Sequence, residues 1–384
     1  MLVYLGICAL LAFLAAVIAA LAAVPPAPTF HLAFAAGAMP LILGAIIHFV
    51  PVLTRTGMPS RFIHYLPLPV QLAGIATPLG LAGILPAWSL HAAATTVVLV
   101  AVTLMLWITR RLRAGLGGAH PGAHWYGAAL LCLFFAVSLV PVWLARPELR
   151  SALRLFHLHL NTLGFIALAA LGTLPVLFPT ALEKPDPGAA ARLRHDLLPA
   201  VVGALLVAAG ASSSPWLALP GALLLLWVVG RNLLAWYRSF GFAAIVGAGG
   251  TAALVTATSG LMLLLLLGIA HGAGLLSAHP SIAGFVAVFL LPLVTGALSQ
   301  LLPVWRHPGN DSSQRRAMRQ RLIRHGRLRA VLFFAGGVLL AFDNRAGWLP
   351  VIVALILFVV PVLVAIWLIW LDMPRSNDDN SRPI

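Results

Sequence analysis

The residues best suited to chemistry are two histidines in the run from Phe156 to Asn161, which reads Phe-His-Leu-His-Leu-Asn. Neutral imidazole is a good ligand for iron and copper, and an ionisable side chain within an apolar segment is a functional candidate. Residues two apart on an α-helix point about 200° apart. His157 and His159 therefore face different neighbours, and they suit two sites that flank one helix.

Six of the thirteen histidines fall near the extracytoplasmic ends of predicted membrane spans, and we predict that they include metal ligands: His31, His91, His157, His159, His271 and His279. The alternative for each is an interfacial imidazole satisfied by water or lipid headgroups. His48 is 17 residues beyond His31, roughly 25 Å along a helix. It cannot share a site with His31, and we expect the remaining histidines to lie near the cytoplasm.

The elements that position these histidines are membrane-spanning helices. The chain of 384 residues is 61% hydrophobic and 9% charged, whereas a soluble domain is about 25% charged. This composition predicts an all-α polytopic membrane protein, in which each span needs about 20 apolar residues. Twelve spans are predicted, near residues 2–24, 29–53, 64–86, 88–109, 124–145, 152–180, 196–212, 215–237, 239–270, 279–304, 327–343 and 347–371.

The charges predict the orientation of these spans. Lys and Arg number 24 against 9 acidic residues, and they concentrate in alternate loops between apolar segments. The positive-inside rule therefore predicts a cytoplasmic basic side with both termini inside, and residues 373–384 are predicted to be a disordered cytoplasmic tail. This placement also disfavours nucleic acid as a partner. With two Cys and no Cys-x-x-Cys-His, neither a disulfide framework nor a covalent c-type haem is expected.

An internal repeat relates the second, sixth and tenth spans. Each contains a His, two Gly and a Pro in the same order, with seven residues from the second Gly to the Pro: His31, Gly37, Gly44 and Pro51; His159, Gly164, Gly172 and Pro179; His279, Gly284, Gly296 and Pro303. The repeat predicts three four-helix arcs, approximately 1–123, 124–240 and 241–372, around a pseudo-threefold axis. The small residues permit close approach of helices or of a flat cofactor.

Twelve spans, three arcs and histidines in the outer half resemble the catalytic subunit of haem–copper oxidases. The segment from His157 to Pro179 is similar to the haem-ligand helix of the cbb3-type subunit, and the stretch from His31 to Gly57 resembles the NnrS-type family of haem- and copper-containing membrane proteins associated with nitric oxide. The His-x-His pair lies here in span six, whereas the oxidases carry it in span ten. The His-Pro-Glu-x-Tyr and His-His motifs of the usual copper site are absent.

This resemblance implies one or two haem b groups, with copper as an option, in a bacterial inner membrane. It implies that His31 and His159 ligate one haem and that His157 faces a second. It also implies a cytochrome or quinol as electron donor, and places the haem site toward the periplasm. Arg154 and Arg345 are expected to pair with haem propionates; lipid phosphate is their alternative partner.

The nine acidic residues all fall in loops, tails or span ends, and none is predicted at mid-membrane. This placement disfavours proton pumping and proton-coupled transport. We therefore expect a b-type haem protein that acts in redox chemistry, in the binding or reduction of nitric oxide or oxygen, or in electron transfer. Two alternatives remain open: a copper-handling protein that uses the outer histidines, and a small-molecule transporter with a midplane site between Gly/Pro-interrupted helices.

Overall fold

The computed structural model describes residues 1–115, 117–247, 249–277, 281–309 and 312–371, without the side chains of 366–371. Helices dominate these ranges, which contain no strand, and the predicted all-α class is confirmed. The main helices are α1 (Leu2–Leu21), α2 (Pro26–Thr54), α3 (Pro67–Leu81), α4 (Trp88–Ala114), α5 (Gly122–Ala145), α6 (Pro147–Leu182), α7 (Ala189–Ser212), α8 (Pro215–Phe240), α9 (Gly249–Gly272), α10 (Ser281–Arg306), α11 (Gly326–Ala341) and α12 (Trp348–Leu371). The predicted tail and His279 lie outside the described residues.

Each predicted span coincides with one of these helices. Over the described residues, ten helices are long and apolar enough to cross a membrane, so the chain is a multi-pass membrane protein. The other two, α3 and α11, have only 15 and 16 residues, fewer than the roughly 20 that span a bilayer core. A short helical turn, Arg61–Tyr65, directly precedes α3.

The three helices of the predicted repeat form the centre of the protein. In α2, α6 and α10, the most apolar segment is 67%, 78% and 72% buried, whereas the corresponding value for the other candidate spans is 33–50%. The most apolar segments of these other helices are therefore half or less buried. The central position of the histidine-bearing helices explains why they are rich in small residues, because neighbouring backbones must approach them from several sides.

The inner helices close into a ring with threefold character. Helix α2 packs against α1 and α5, α6 packs against α5 and α9, and α10 packs against α9 and α1. Each second helix of a repeat thus contacts the first helix of its own repeat and the first helix of the next. Because the third repeat returns to the first, this pattern describes a closed pseudo-threefold arrangement.

The repeated glycines explain part of this packing. A Cβ atom built on Gly44, Gly172 or Gly296 would lie 2.5–2.8 Å from a side-chain atom on the first helix of the same repeat, at Leu5, Trp125 or Leu254 respectively. Real Cβ atoms essentially never come so close. The small residues at these three positions therefore permit helix–helix contact, which is the first of the two uses that the sequence suggested.

Each central helix also contains a π-helical segment: Leu32–Ala38 in α2, Leu160–Ala167 in α6 and Phe285–Leu290 in α10. The π-helix is rare and often occurs at functional sites. The first two segments begin directly after His31 and His159, so they lie at the same place in their repeats. Phe34 and Phe285 bring two of the segments together, with ring centroids 5.9 Å apart.

The two ends of the helix bundle differ in chemistry. At the basic end, the short helix Ser313–Ile323 carries Arg319, whose Nη1 donates to Glu183 Oε1 at 2.7 Å. One acidic residue at this end is buried within a helix. Asp196, in the second turn of α7, is only 2% exposed and lies 3.3 Å from Arg231 Nη2. The opposite end, called here the histidine end, carries the starts of α2 and α6 and the end of α9.

Candidate functional site

His31 and His157 face each other at the histidine end. His31 ends the α-helical first turns of α2, and His157 lies in the corresponding part of α6, so the two imidazoles come from the first and second repeats. Their ring centroids are 6.4 Å apart and their planes are inclined by only 23°. The two central helices therefore present a pair of nearly parallel imidazole rings to one another.

Backbone hydrogen bonds fix the tautomer of both rings. His31 Nδ1 donates to Ala27 O at 2.7 Å, and His157 Nδ1 donates to Ala136 O on α5 at 2.8 Å. Because only a protonated nitrogen can donate to a carbonyl, the Nδ1 proton leaves Nε2 with a free lone pair. A carbonyl acceptor on the second ring nitrogen is the usual arrangement around metal-ligating histidines.

Two further histidines lie at the histidine end: His159, on the other side of α6, and His271, near the end of α9. His159 Nδ1 donates to Leu155 O and His271 Nδ1 donates to Leu276 O, each at 2.9 Å. Both rings of this pair therefore also keep Nε2 free. His159 is partly buried, whereas His271 is exposed.

The pairing differs from the one expected from the family resemblance. The structure places His157, not His159, opposite His31. The physical reason is the rotation of α6: its two histidines point about 200° apart, and the face that carries His157 is turned toward α5 and α2. The repeat alignment shows which positions correspond along the helices, but it does not show toward which neighbour each side chain turns.

The donor set suits a metal that takes two protein ligands. Among the described residues, no group of three or more His, Cys, Asp or Glu side chains could hold a metal ion, and a structural zinc site would require four ligands. Two imidazoles on opposite sides of one metal, with metal–nitrogen bonds of about 2.0–2.1 Å, have centroids about 6.3 Å apart. The 6.4 Å separation of the His31 and His157 ring centroids is close to that distance.

The remaining predicted site residues are more peripheral. His91 is exposed in the first turn of α4, and the structure records no hydrogen bond or ring contact for it among the described residues. Arg154 lies one turn before His157, and its side chain is exposed. Arg345 is also exposed, in a short 3-10 helix before α12. Within the described ranges, neither arginine has an ion pair.

One neighbour of the site was not predicted from the sequence. Trp143, near the end of α5, meets the His157 ring edge to face, with centroids 5.0 Å apart and planes inclined by 89°. Trp143 precedes His157 by 14 residues and lies on a different helix. Only the packing of α5 against α6 brings the two rings together, so no local sequence signal could have identified it.

No family model matches the chain, and comparisons with curated proteins and with solved structures find no significant similarity.

Proposed function

We propose that this protein is a b-type haem-binding membrane protein, similar in plan to the haem–copper oxidase and NnrS-type proteins, in which His31 and His157 would hold one haem iron. The observation that carries the proposal is a pair of nearly parallel imidazoles from two helices, with ring centroids 6.4 Å apart. The free Nε2 atoms and the carbonyl-bonded Nδ1 atoms support it.

The proposed ligands come from two repeats, so this site also joins α2 to α6. A haem iron that both imidazoles held would supply one-electron chemistry. We therefore assign electron transfer to the His31–His157 site. His31 and His157 would hold the iron, and Trp143 packs against the His157 ring.

The second histidine pair suits a different role. His159 is partly buried and His271 is exposed, so a metal that His159 held would lie on a side of α6 that a small ligand can reach. We assign the binding or reduction of a diatomic gas, nitric oxide or oxygen, to the His159 side of α6. With a cytochrome or quinol as donor, electrons would pass across α6 between the two pairs.

The charges support the orientation that we propose. Exposed Arg154 and Arg345 are available to propionates or to lipid phosphate at the histidine end. The Arg-rich basic end would face the cytoplasm, which places the histidine pairs toward the periplasm of a bacterial inner membrane. Asp196, the buried acid of α7, lies near the basic end and is paired with Arg231. We accordingly propose a protein that does not pump protons.

The second pair also favours a second candidate function. Imidazole ligands suit copper as well as iron, and His271 is exposed at the end of α9. A copper-handling protein that takes up the ion at His271 and holds it with His159 would use the same side chains. In this alternative, the His31–His157 pair would provide a second station for the ion.

The visible spectrum of the purified full-length protein tests the proposal. We expect a Soret band and α/β bands that sharpen on reduction, together with haem b in the pyridine haemochrome assay. A colourless preparation that retains stoichiometric copper would instead support the copper-handling function. A colourless, metal-free preparation that also fails to take up added haem would contradict both.

A further inference from the structure

A pocket of about 400 Å³ opens at the basic end, far from the histidine pairs. The end of α2, the loop before α5 and the first turns of α7 surround it, so it lies at the junction of the first and second repeats. Its lining combines three potential donor side chains with two glycines and a small apolar wall: Val52, Leu53, Arg55, Gly117, Gly118, Ala119, His120 and Arg194.

The two arginines of this pocket lack the partners that other arginines nearby possess. Arg192 pairs with Asp186, and Arg231 pairs with Asp196. Within the part of the chain that the structure describes, Arg55 and Arg194 have no ion pair with a carboxylate, although both line the same cavity. Two guanidinium groups of like charge repel each other, so an anion between them would be stabilising.

The position of Arg55 is fixed by the end of α2. Its backbone is left-handed, with φ 53°, and its amide donates to Val52 O. The next amide, that of Thr56, donates to Pro51 O at 3.0 Å. These bonds form a helix C-cap that holds the residue in a strained conformation for a side chain larger than glycine. The cap places the Arg55 guanidinium beside Gly117. A Cβ atom built on Gly117 would lie 3.5 Å from Arg55 Nη1.

The loop before α5 supplies further donors. Gly117 and Gly118 both have positive φ, 75° and 82°, and successive amides around such residues form concave anion-binding nests. The amides of Gly118 and Ala119 donate to no carbonyl among the described residues. Among the described residues, these amides are therefore available as donors beside the two arginines.

His120 completes the set. Its amide donates to Leu53 O at 2.8 Å, which ties the loop to α2, and its Nδ1 accepts from the Gly122 amide at 3.2 Å. Because Nδ1 is an acceptor, the proton of the neutral ring lies on Nε2. The imidazole thus offers one more N–H donor to an anion without needing to be charged.

The second repeat provides an internal comparison. At the end of α6, Glu183 takes the left-handed position that Arg55 takes at the end of α2, with φ 55°. The neighbouring cavity there also contains Lys184 and Asp186, so both signs of charge line it. Of these two described cavities, only the one between the first and second repeats is lined by cations and N–H donors without a carboxylate.

We propose that this pocket binds a phosphate group, either the phosphodiester of an anionic lipid headgroup or a soluble phosphate. Bidentate guanidinium contacts, glycine amides and an imidazole N–H are the donors that phosphate recognition uses. Basic pockets between helices on the cytoplasmic side of membrane proteins favour anionic headgroups. Val52, 69% exposed at the rim, offers an apolar surface to the glycerol and acyl part of a lipid.

The test uses full-length protein in nanodiscs of phosphatidylcholine with a minor fraction of phosphatidylglycerol, and native mass spectrometry counts the retained lipids. The variant carries Arg55→Gln and Arg194→Gln. The matched control carries Arg61→Gln and Arg238→Gln, which removes two exposed arginines at the same end but outside the pocket. We expect preferential retention of phosphatidylglycerol to fall about fivefold for each pocket arginine removed, and to persist in the control.

A second arm separates the two sources of phosphate. The lipid-retention measurement is repeated with added inorganic phosphate. Binding of phosphate itself is measured by thermal shift on the protein in nanodiscs of phosphatidylcholine alone. Displacement of phosphatidylglycerol, or binding of phosphate that requires both arginines, identifies a soluble phosphate site. Retention of phosphatidylglycerol against phosphate identifies a headgroup site.

Equal binding of both probes by the wild-type protein and the Arg55→Gln/Arg194→Gln variant would overturn the proposal. If that variant fails to fold, Arg55→Lys with Arg194→Lys keeps both charges and removes the bidentate fork. A partial loss of retention in the lysine variant supports the site, and unchanged retention overturns it.

Discussion

Trp143 stands edge-on to the imidazole of His157, with the two ring planes at 89°. The same imidazole also contacts His31, and its Nδ1 donates to Ala136 O. Helix α5 thus restrains His157 twice, through a carbonyl and through an indole. The orientation of a side chain on α6 depends on a helix that contributes no ligand.

Replacement of His31 or His157 with Ala should abolish the same low-spin haem signal, because each removes one of two ligands to one iron. His159→Ala, two residues away on the other face of α6, is the matched control and should keep that signal. Reduced-minus-oxidised spectra and electron paramagnetic resonance provide the measurement. Loss of the signal in His159→Ala, with retention in His157→Ala, would contradict the pairing and restore the one expected from sequence.

Replacement of Trp143 with Ala should weaken haem retention about tenfold, at the lower end of the effect of outer-shell partners. The reason is that the His157 ring loses its edge contact while its Nδ1 hydrogen bond remains. The measurement is the transfer of haem to apomyoglobin. Trp143→Phe keeps an aromatic edge and should retain most of the affinity. Equal rates of haem loss from the wild-type protein and Trp143→Ala would show that the indole has no positioning role.

Replacement of Gly172 with Ala should destabilise the protein by about 1–3 kcal/mol, because the added Cβ would meet Trp125 Cβ at 2.5 Å and overpack the α5–α6 interface. Gly127→Ala, on α5 near Trp125, has nothing within 4 Å of its added Cβ and serves as the control. We expect Gly127→Ala to be neutral or mildly stabilising. The free energy of unfolding in mixed detergent micelles measures both, and equal values would refute the close approach.

The Asp196–Arg231 pair should respond asymmetrically to mutation. Arg231→Gln leaves a carboxylate with only 2% exposed side chain without its cation, whereas Asp196→Asn leaves a guanidinium that is 32% exposed and can reach water. Loss of one partner of a fully buried pair costs about 3–5 kcal/mol, so we expect Arg231→Gln to cost about 1–3 kcal/mol. Asp196→Asn should cost less than 1 kcal/mol, roughly the value of an exposed pair.

Thermal and detergent unfolding of these two variants provide the comparison. Arg238→Gln, an exposed arginine on the same helix, controls for loss of positive charge at the basic end. A larger loss of stability in Asp196→Asn than in Arg231→Gln would show that burial of the carboxylate does not govern this pair.

Arg194→Gln should raise the pKa of His120. Burial is the larger cause that lowers this pKa, and the charge of Arg194 is the second, so the variant should move it upward while it stays below the ordinary value. Because folding lowers the pKa of His120, the neutral ring contributes to stability above the unfolded pKa. That contribution is lost as the pH falls toward the folded pKa. NMR titration of labelled histidine measures the pKa of His120, and the His120→Asn variant assigns its signal. An unchanged pKa in Arg194→Gln would show that the charge of Arg194 does not act on His120.

The sequence predicts the positions of the helices well because the apolar runs and the Arg-rich loops are strong signals. The glycines of the repeat, such as Gly44 and Gly172, lie where helices approach closely. The sequence did not indicate that His157 faces His31, because alignment along a helix carries no information about rotation about its axis. The burial of Asp196 and the contact of Trp143 with His157 depend on packing between helices, which local patterns do not encode.

The π segments determine how the histidines are rotated relative to the rest of their helices. A single residue added to an α-helix turns everything beyond it by about 100°, and a π segment is a place where the helix accommodates such a residue. His31 and His159 each stand immediately outside one. Each of these two π segments therefore separates the histidine from the glycine-packed part of its helix. Deletion of one residue from Leu32–Ala38 would turn His31 away from His157, while the part of α2 that carries Gly44 keeps its contact with α1.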